Sequence, residues 1–441
     1  MHLYQTLCNH QEKNRSSFHT PGHKNMAGAF PSDLLELDYT ELPDTDSLYE
    51  AQGAILQAEH AAADLFHVKR TVFSAGGCTL CIQAMLRLAV PDGGKIIMGR
   101  VIHRSAINTL ALLGIEPVWV LPRPDAGDGL PGRIYAQDVE QALRKEPGAK
   151  AVYLTSPDYY GVLSDIEGIS EVCRRHRVPL LVDNAHGSHL WYVGEGLHPI
   201  QLGATMAADS THKTLPVLTG GAWLQIAEER YTADVKEAMA LFGSTSPAYP
   251  IMASLDLCVD WLQQGGQEAY GQLEERVARL KMLAWQNGIR QPLGACDPTR
   301  IALDMSSIGM TGKEGADYLR RCGIEPEMAD GGYVVLIATP FNSEEDFVRL
   351  EQAIRQIPVA SPLPTMKETS APPASQVVSP RQAILGASET RPVFFSVGEI
   401  AAEAACPCPP GVPVVMPGER ITEKAAEFLS TYGISYIKVL K

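Results

Sequence analysis

The residues MAADSTHKTLPVLTGGAWLQI at 206–226 decide how this chain is to be read. An apolar run ends in Asp209–Ser210, a lysine follows between polar neighbours, and a glycine pair opens a second apolar run. At a strand's end beside Ser210 and His212, Lys213 can be kept partly desolvated, which lowers the pKa of its amine and makes it nucleophilic toward an aldehyde. The same letters also suit a surface lysine in a loop. Upstream, PLLVDNAHGSH at 179–189 reads as a buried strand closed by Asp183. A buried carboxylate is costly unless it meets a cation, and a protonated pyridine nitrogen is one such cation. A helix cap or a structural ion pair is the plainer role for Asp183. Taken together, Lys213 and Asp183 point to pyridoxal 5′-phosphate, whose protonated ring accepts the electron pair left on Cα when a bond to an amino acid breaks.

A third element precedes them. In SAGGCTLCIQAM at 74–85, the turn Gly76-Gly77-Cys78-Thr79 opens a helix, where free backbone N–H groups and the helix dipole favour a phosphate. The spacing is neither that of a P-loop nor that of a dinucleotide-binding turn, so the turn is weak evidence by itself. His103, in GRVIHRSAINT, is the candidate to stack on a cofactor ring, with a satisfied core histidine as the alternative. The chain order is then phosphate turn, stacking residue, carboxylate, lysine. Cys78 and Cys81 form a C-x-x-C with no second Cys or His pair at ligand spacing, so no metal site is expected.

Working outward, short apolar strands alternate with helices: RTVFS, a helix from the glycine turn to Pro91, KIIMG, a helix from about Ser105, KAVYLTSP, a helix near 165–177, then PLLVDNAH. Such alternation specifies an α/β layer with a largely parallel sheet. Residues 50–67 also have helical spacing, and 250–288 reads as a long helix interrupted at Gly265–Gly266, bridging to a smaller α+β unit. The expected divisions are an N-terminal segment 1–50, a large domain 51–288, a small domain 289–356, a Pro/Ser-rich linker 357–379 and a C-terminal module 380–441.

Formal net charge is −14 over 441 residues with acidic and basic residues interspersed, which argues against a nucleic-acid surface and for small-molecule partners or further copies of the chain. No apolar run approaches the ~18 residues that cross a bilayer, and the first residues lack a signal-peptide pattern, so a cytoplasmic protein is expected. Nine cysteines in so long a chain read as reduced thiols.

Six stretches carry a family resemblance: FHTPGHKNM at 18–26, TELPDTDSLYEAQGAI at 40–55, YLTSPDYYGV at 153–162, VDNAHGSHLW at 182–191, DSTHKTLPVLTGGAWL at 209–224 and PCPPGVPVVMPGE at 407–419. With them the chain resembles the bacterial-type ornithine/lysine/arginine decarboxylases, in the short form without an N-terminal wing domain. The resemblance implies an aspartate-aminotransferase-like (type I) fold. It makes Lys213 the Schiff-base lysine, places Asp183 on the pyridine nitrogen and His103 on the ring, and puts Gly77, Cys78, Thr79, Ser210 and His212 around the phosphate with His186 beside the cofactor. It sets His23 of the TPGHK segment near the active-site mouth and implies a homodimer, or a larger homo-oligomer, with shared sites. Cys78 stands where the family usually has Ser or Thr, Asn184 where an acidic residue is common, and Gly220–Gly221 where a glutamine-bearing stretch is usual.

The implied reaction is decarboxylation of a basic amino acid to its amine, with Lys213 or a neighbouring histidine returning the proton to Cα, in polyamine-type metabolism. Arginine or lysine is preferred over ornithine. A distal substrate cation calls for an acidic partner, for which Glu325, Glu327, Asp44 and Asp46 are candidates, each also readable as a solvated surface carboxylate. Two other outcomes remain open: an aminotransferase or lyase on the same scaffold, which calls for an arginine gripping the substrate carboxylate, and a decayed regulatory pseudoenzyme.

Overall fold

The computed structural model describes residues 12–13, 15–20, 22–24, 38–42, 45–124, 128–194, 196–364, 374–406 and 413–441, and the statements and counts below refer to these. After β1 (Ser16–Phe18) and α1 (Ala54–Leu65), the large unit runs β2 (Arg70–Ser74), α2 (Gly77–Ala89), β3 (Gly94–Gly99), α3 (Arg104–Leu113), β4 (Ile115–Val120), α4 (Ala136–Lys145), β5 (Val152–Thr155), α5 (Ile166–His176), β6 (Leu180–Asp183), β7 (Met206–Asp209), the single turn α6 (Thr211–Thr214) and β8 (Ala222–Ile226). The seven strands order as β2-β8-β7-β6-β5-β3-β4. The β3–β4, β3–β5, β5–β6 and β6–β7 pairs are parallel, whereas β8 is antiparallel to both β2 and β7. All strands except β8 therefore run one way, and their carboxyl ends share one edge, where open α/β sheets bind ligands.

Strand alternation explains both the continuous apolar runs and the helices on both faces. Ile96, Met98, Tyr153 and Leu181 pack with Cys81, Ile82, Met85, Ile107 and Leu110 of α2 and α3. Ile97, Val152, Leu154 and Val182 pack with Val139, Leu143, Ile169 and Val172 of α4 and α5 on the other face.

Beyond α7 (Val235–Ala240), helix α8 (Tyr249–Trp261) passes through a π-helical stretch at Leu262–Gly266 into α9 (Gln267–Gln286), so the glycine pair marks a wider turn rather than a break. The smaller unit holds β9 (Arg300–Asp304), α10 (Gly312–Arg321), β10 (Ile324–Pro326), β11 (Met328–Ala329), β12 (Tyr333–Ile337) and α11 (Glu344–Gln356). Its antiparallel sheet is ordered β11-β12-β9, and β10 pairs in parallel with β1, Ser16 opposite Ile324.

The C-terminal unit comprises α12 (Pro380–Leu385), β13 (Ser388–Pro392), α13 (Glu423–Thr431) and β14 (Tyr436–Leu440), around Val393, Ala401, Val415, Leu429, Ile437 and Val439. Two arginines tie it to the large unit. Arg100 makes a bidentate pair with Glu419 at 2.7 and 2.8 Å, and Arg381 donates to the carbonyls of Ala111 (3.2 Å) and Leu112 (2.9 Å) at the end of α3.

One expected boundary moves. The helical spacing from residue 50 produces a helix only from Ala54, because Asp46 accepts the N–H groups of Ser47 (2.9 Å), Gln52 (3.0 Å), Gly53 (2.8 Å) and Ile55 (3.0 Å) and holds 50–53 as a loop.

Candidate active site

β6 delivers Asp183 to the carboxyl edge on the same face as Leu181 and Tyr153, because residues two apart share a face. Its carboxylate accepts from the Tyr153 hydroxyl at 3.2 Å and the Ala185 N–H at 3.2 Å, and only 1 % of the residue is exposed. Burial pushes the carboxyl up, against the opposing pull of His103 and Lys213. A carboxylate strained in this way and held by neutral donors suits a pyridinium N–H.

β7 leads directly into α6, whose third residue is Lys213. Its Nζ stands 2.9 Å from His186 Nε2 and 5.9 Å from the centre of the Tyr159 ring. Burial lowers the amine's pKa, and Arg300 adds to this, while the charges of Asp183 and Glu327 oppose it. Burial likewise holds the His186 ring well below its ordinary value, with the charges of Lys213 and Arg300 contributing.

The glycine turn has the expected open form. Gly76 caps α2 without a side chain, Gly77 takes φ +69°, and its N–H donates to the Gly220 carbonyl at 2.8 Å. The next N–H groups, of Cys78 and Thr79, lie in the first helical turn and have no intrahelical acceptor. Thr79 is exposed. Gly220 itself has φ +98°, a conformation that glycine adopts without strain, so the departure at this position serves the turn. Cys78 needs correction as a phosphate ligand through its side chain. Its Sγ turns down to the Ala208 carbonyl at 3.3 Å and lies 4.0 Å from Asp183, leaving only its backbone N–H for an anion.

His212 Nδ1 donates to the Gly221 carbonyl at 3.0 Å and lies 3.4 Å from the Ser210 hydroxyl, which fixes the ring beside the turn. His103 is exposed at the head of α3, where its Nδ1 accepts the Ser105 N–H at 3.2 Å. These groups fit pyridoxal phosphate: backbone donors for the phosphate, an imidazole for the ring face, a buried carboxylate and a desolvated amine. By contrast, the cavity of about 630 Å³ lined by Glu116, Val118, Gln376 and Ser379 lies against edge strand β4, away from these groups.

The N-terminal segment crosses the lysine turn. The Gly22 N–H donates to the His212 carbonyl at 2.7 Å, and a Cβ at Gly22 would lie 2.5 Å from the Leu215 carbonyl oxygen, so only glycine fits. His23 is buried and pushed down to about 4 by burial and by the charges of Lys24 and His212.

Among the acidic candidates for a substrate cation, Glu327 accepts the Thr20 N–H (2.8 Å) and the Tyr159 hydroxyl (3.1 Å), and Tyr159 in turn packs on His186 with ring centres 4.4 Å apart. Glu325 needs correction, because it is taken up in ion pairs with Arg15 (2.6 Å) and Arg320 (2.7 Å). Asp46 needs it too, since its oxygens are committed to four backbone N–H groups. Asp44 lies outside the described residues.

Sequence reasoning missed Tyr153, Tyr159 and Arg300. The last donates to the carbonyls of Tyr159 (3.3 Å) and His186 (3.2 Å) from a position 3 % exposed. The signal was an arginine opening the strand RIALD, whose next three residues are apolar.

Comparison with known proteins identifies the family and the fold. The sequence model of the family described as "Orn/Lys/Arg decarboxylase, major domain" matches residues 1–289, and its "C-terminal domain" matches 365–440. An arginine decarboxylase of Bacillus subtilis (strain 168) is 31% identical, the match covering 97% of this chain and 92% of that protein. The solved structure of the Escherichia coli constitutive lysine decarboxylase has a TM-score of 0.77 at 18% identity, covering 99% of this chain and 81% of that one. A structure of SPT with PLP has a TM-score of 0.59 at 14% identity, covering 77% and 87%. The latter two are likenesses of fold, and the fold is that of the type I pyridoxal-phosphate enzymes. The chain belongs to the Orn/Lys/Arg decarboxylase family.

Proposed function

We propose that this protein decarboxylates a basic amino acid, arginine before lysine or ornithine, with pyridoxal phosphate held on Lys213. The observation that carries the reading is the convergence of Asp183, His186 and Lys213 at one sheet edge, with Glu327 held nearby by Thr20 and Tyr159 and free of ion pairs among the described residues. When bound, pyridoxal phosphate supplies the sink for electrons released as the carboxyl group leaves Cα. Asp183 keeps the pyridine nitrogen protonated. The backbone N–H groups of Cys78 and Thr79, with Thr79, Ser210 and His212, hold the phosphate, while the His103 imidazole covers the ring face. Lys213 and His186, 2.9 Å apart, form the pair that holds and returns the proton at Cα.

Glu327 receives the substrate's distal cation. Its carboxylate has only neutral donors here, and a planar guanidinium gains most from a bidentate carboxylate. Preference for arginine also draws support from the Bacillus relative. Arg300 does not serve the aminotransferase reading, because its guanidinium is taken up by the carbonyls of Tyr159 and His186, the His186 ring and Asp297. The reading extends to a cytoplasmic homodimer in polyamine-type metabolism; no described helix is long and apolar enough to cross a membrane. The test is the visible absorbance of purified protein and of Lys213→Ala, with amine and CO₂ assayed separately for arginine, lysine and ornithine. A coloured protein that loses its band in Lys213→Ala and makes one amine supports the reading. A keto acid as sole product overturns the reaction, and failure to bind the cofactor overturns the enzyme.

A further inference from the structure

Arg300 opens β9, buried, and its guanidinium reaches the far side of His186 from Lys213. Its Nη1 donates to the Tyr159 carbonyl at 3.3 Å and faces His186 Nδ1 at 3.4 Å, while Nη2 donates to the His186 carbonyl at 3.2 Å. Behind it, Nε lies 3.8 Å from Asp297, a carboxylate itself fixed by the Thr299 N–H at 2.8 Å and by His189 at 3.1 Å. The guanidinium is thus held from two sides, and a guanidinium has N–H donors and no acceptor.

His186 must satisfy two neighbours with one ring. A neutral imidazole offers one lone pair and one N–H, and an imidazolium offers no lone pair. With Arg300 at Nδ1, the lone pair has to be there, and the ring proton has to be on Nε2, pointing at Lys213 Nζ 2.9 Å away. A donor at that position requires a lone pair on Nζ. An ammonium at Lys213 would ask His186 to accept at both nitrogens, which no neutral ring can do.

We propose that Arg300 is a positioning residue for the reaction: by occupying His186 Nδ1 it fixes the ring proton on Nε2, so that the Lys213 amine accepts a hydrogen bond and stands in its uncharged, nucleophilic form. The other groups that face Nζ act by charge. Asp183 and Glu327 favour an ammonium; burial and Arg300 itself oppose it. The tautomer of His186 adds a directional contribution that charge alone does not supply. The inference rests on Lys213 as the cofactor lysine.

Two measurements test it. In ¹⁵N-histidine-labelled apoenzyme, with the His186 resonances assigned by their loss in His186→Asn, two-bond ¹⁵N–¹H correlation should show a neutral ring protonated at Nε2. An Nδ1–H tautomer or an imidazolium overturns the proposal, with no variant at Arg300 required. The second measurement follows capture of pyridoxal phosphate by apoenzyme against pH, read by visible absorbance. Arg300→Met should move the midpoint up by about one unit, slowing capture near neutral pH about tenfold, with Arg300→Lys restoring part of the loss. In a His186→Ala background the Arg300→Met shift should shrink; a shift of the same size there means Arg300 acts only through its charge, and the proposal falls. If wild type captures no cofactor, the Lys213 assignment fails, while the correlation spectrum still decides the tautomer.

Discussion

Replacing Glu419 with alanine should loosen the C-terminal unit from the sheet that carries the site. Arg100 and Glu419 are 3 % and 1 % exposed, and Glu419 also accepts the Met416 N–H at 2.8 Å. Removing one member of a buried pair strands the other charge, at a cost of about 3–5 kcal/mol. Loss of the acceptor for the Met416 N–H adds about 1 kcal/mol. Taking about 4 kcal/mol, the opening equilibrium of the unit rises on the order of a thousandfold. A chain with several cores does not unfold in two states, so a local assay is needed. Native-state hydrogen exchange of the β13 and β14 amides, followed by mass spectrometry, reports that opening. Glu419→Gln should fall between wild type and alanine. The double variant Arg100→Met/Glu419→Leu should recover most of the loss because no charge is stranded. A change under about tenfold in Glu419→Ala, or a double variant as open as the single one, would refute the reasoning.

Three further outcomes are expected. Burial pushes the Asp158 carboxyl up to about 7 from an ordinary 3.8, so its contribution to stability is complete below the ordinary value and is lost as pH rises through about 7; Asp158→Asn should flatten the denaturant-midpoint profile across that window, and an unchanged slope counts against it. Gly77→Ala forces a side chain into φ +69°, at about 1–2 kcal/mol, and should weaken cofactor binding by roughly tenfold in absorbance titration of apoenzyme. Gly22→Ala would set a Cβ against the backbone of Thr214 and Leu215, 2.8 and 2.5 Å away, and should abolish most cofactor capture while leaving exchange in β13 and β14 unchanged.

The parallel sheet was legible because its strands are buried on both faces and therefore read as unbroken apolar runs between helical segments. Asp183 and His103 were legible because each ends an apolar stretch, and Lys213 because it follows one within a few polar residues; the carboxyl edge of such a sheet is where chemistry collects. What escaped depends on approach between distant parts of the chain. Arg300 meets His186 only after the small unit folds back, and no local pattern distinguishes that arginine from a strand-edge charge. Carboxylates were the hardest to sort. Glu325 and Glu327 flank a single proline, yet one faces arginines and the other faces the site, because β10 ends at Pro326 and the strand's alternation does not carry through to Glu327. Asp46 stands in a family motif, and its work is to tie down the loop before α1. Cys78 read as a phosphate ligand because its position in the turn is right, whereas the direction of its side chain follows from the packing of α2 on the sheet.

The crossing of Gly22 over the lysine turn has a consequence for biosynthesis. Ser16–Phe18 can find its partner strand only after residues 324–326 have been made, and the Gly22 carbonyl waits for the Thr339 hydroxyl, 2.8 Å away in the finished protein. Synthesis from Lys213 to Thr339 takes on the order of ten seconds at ordinary ribosomal rates. Throughout that interval the segment from Ser16 to Gly22 lacks its partners in β10 and at Thr339. Maturation of the site is therefore timed by the ribosome's progress through the small unit, and a pause there prolongs the exposure of the lysine turn.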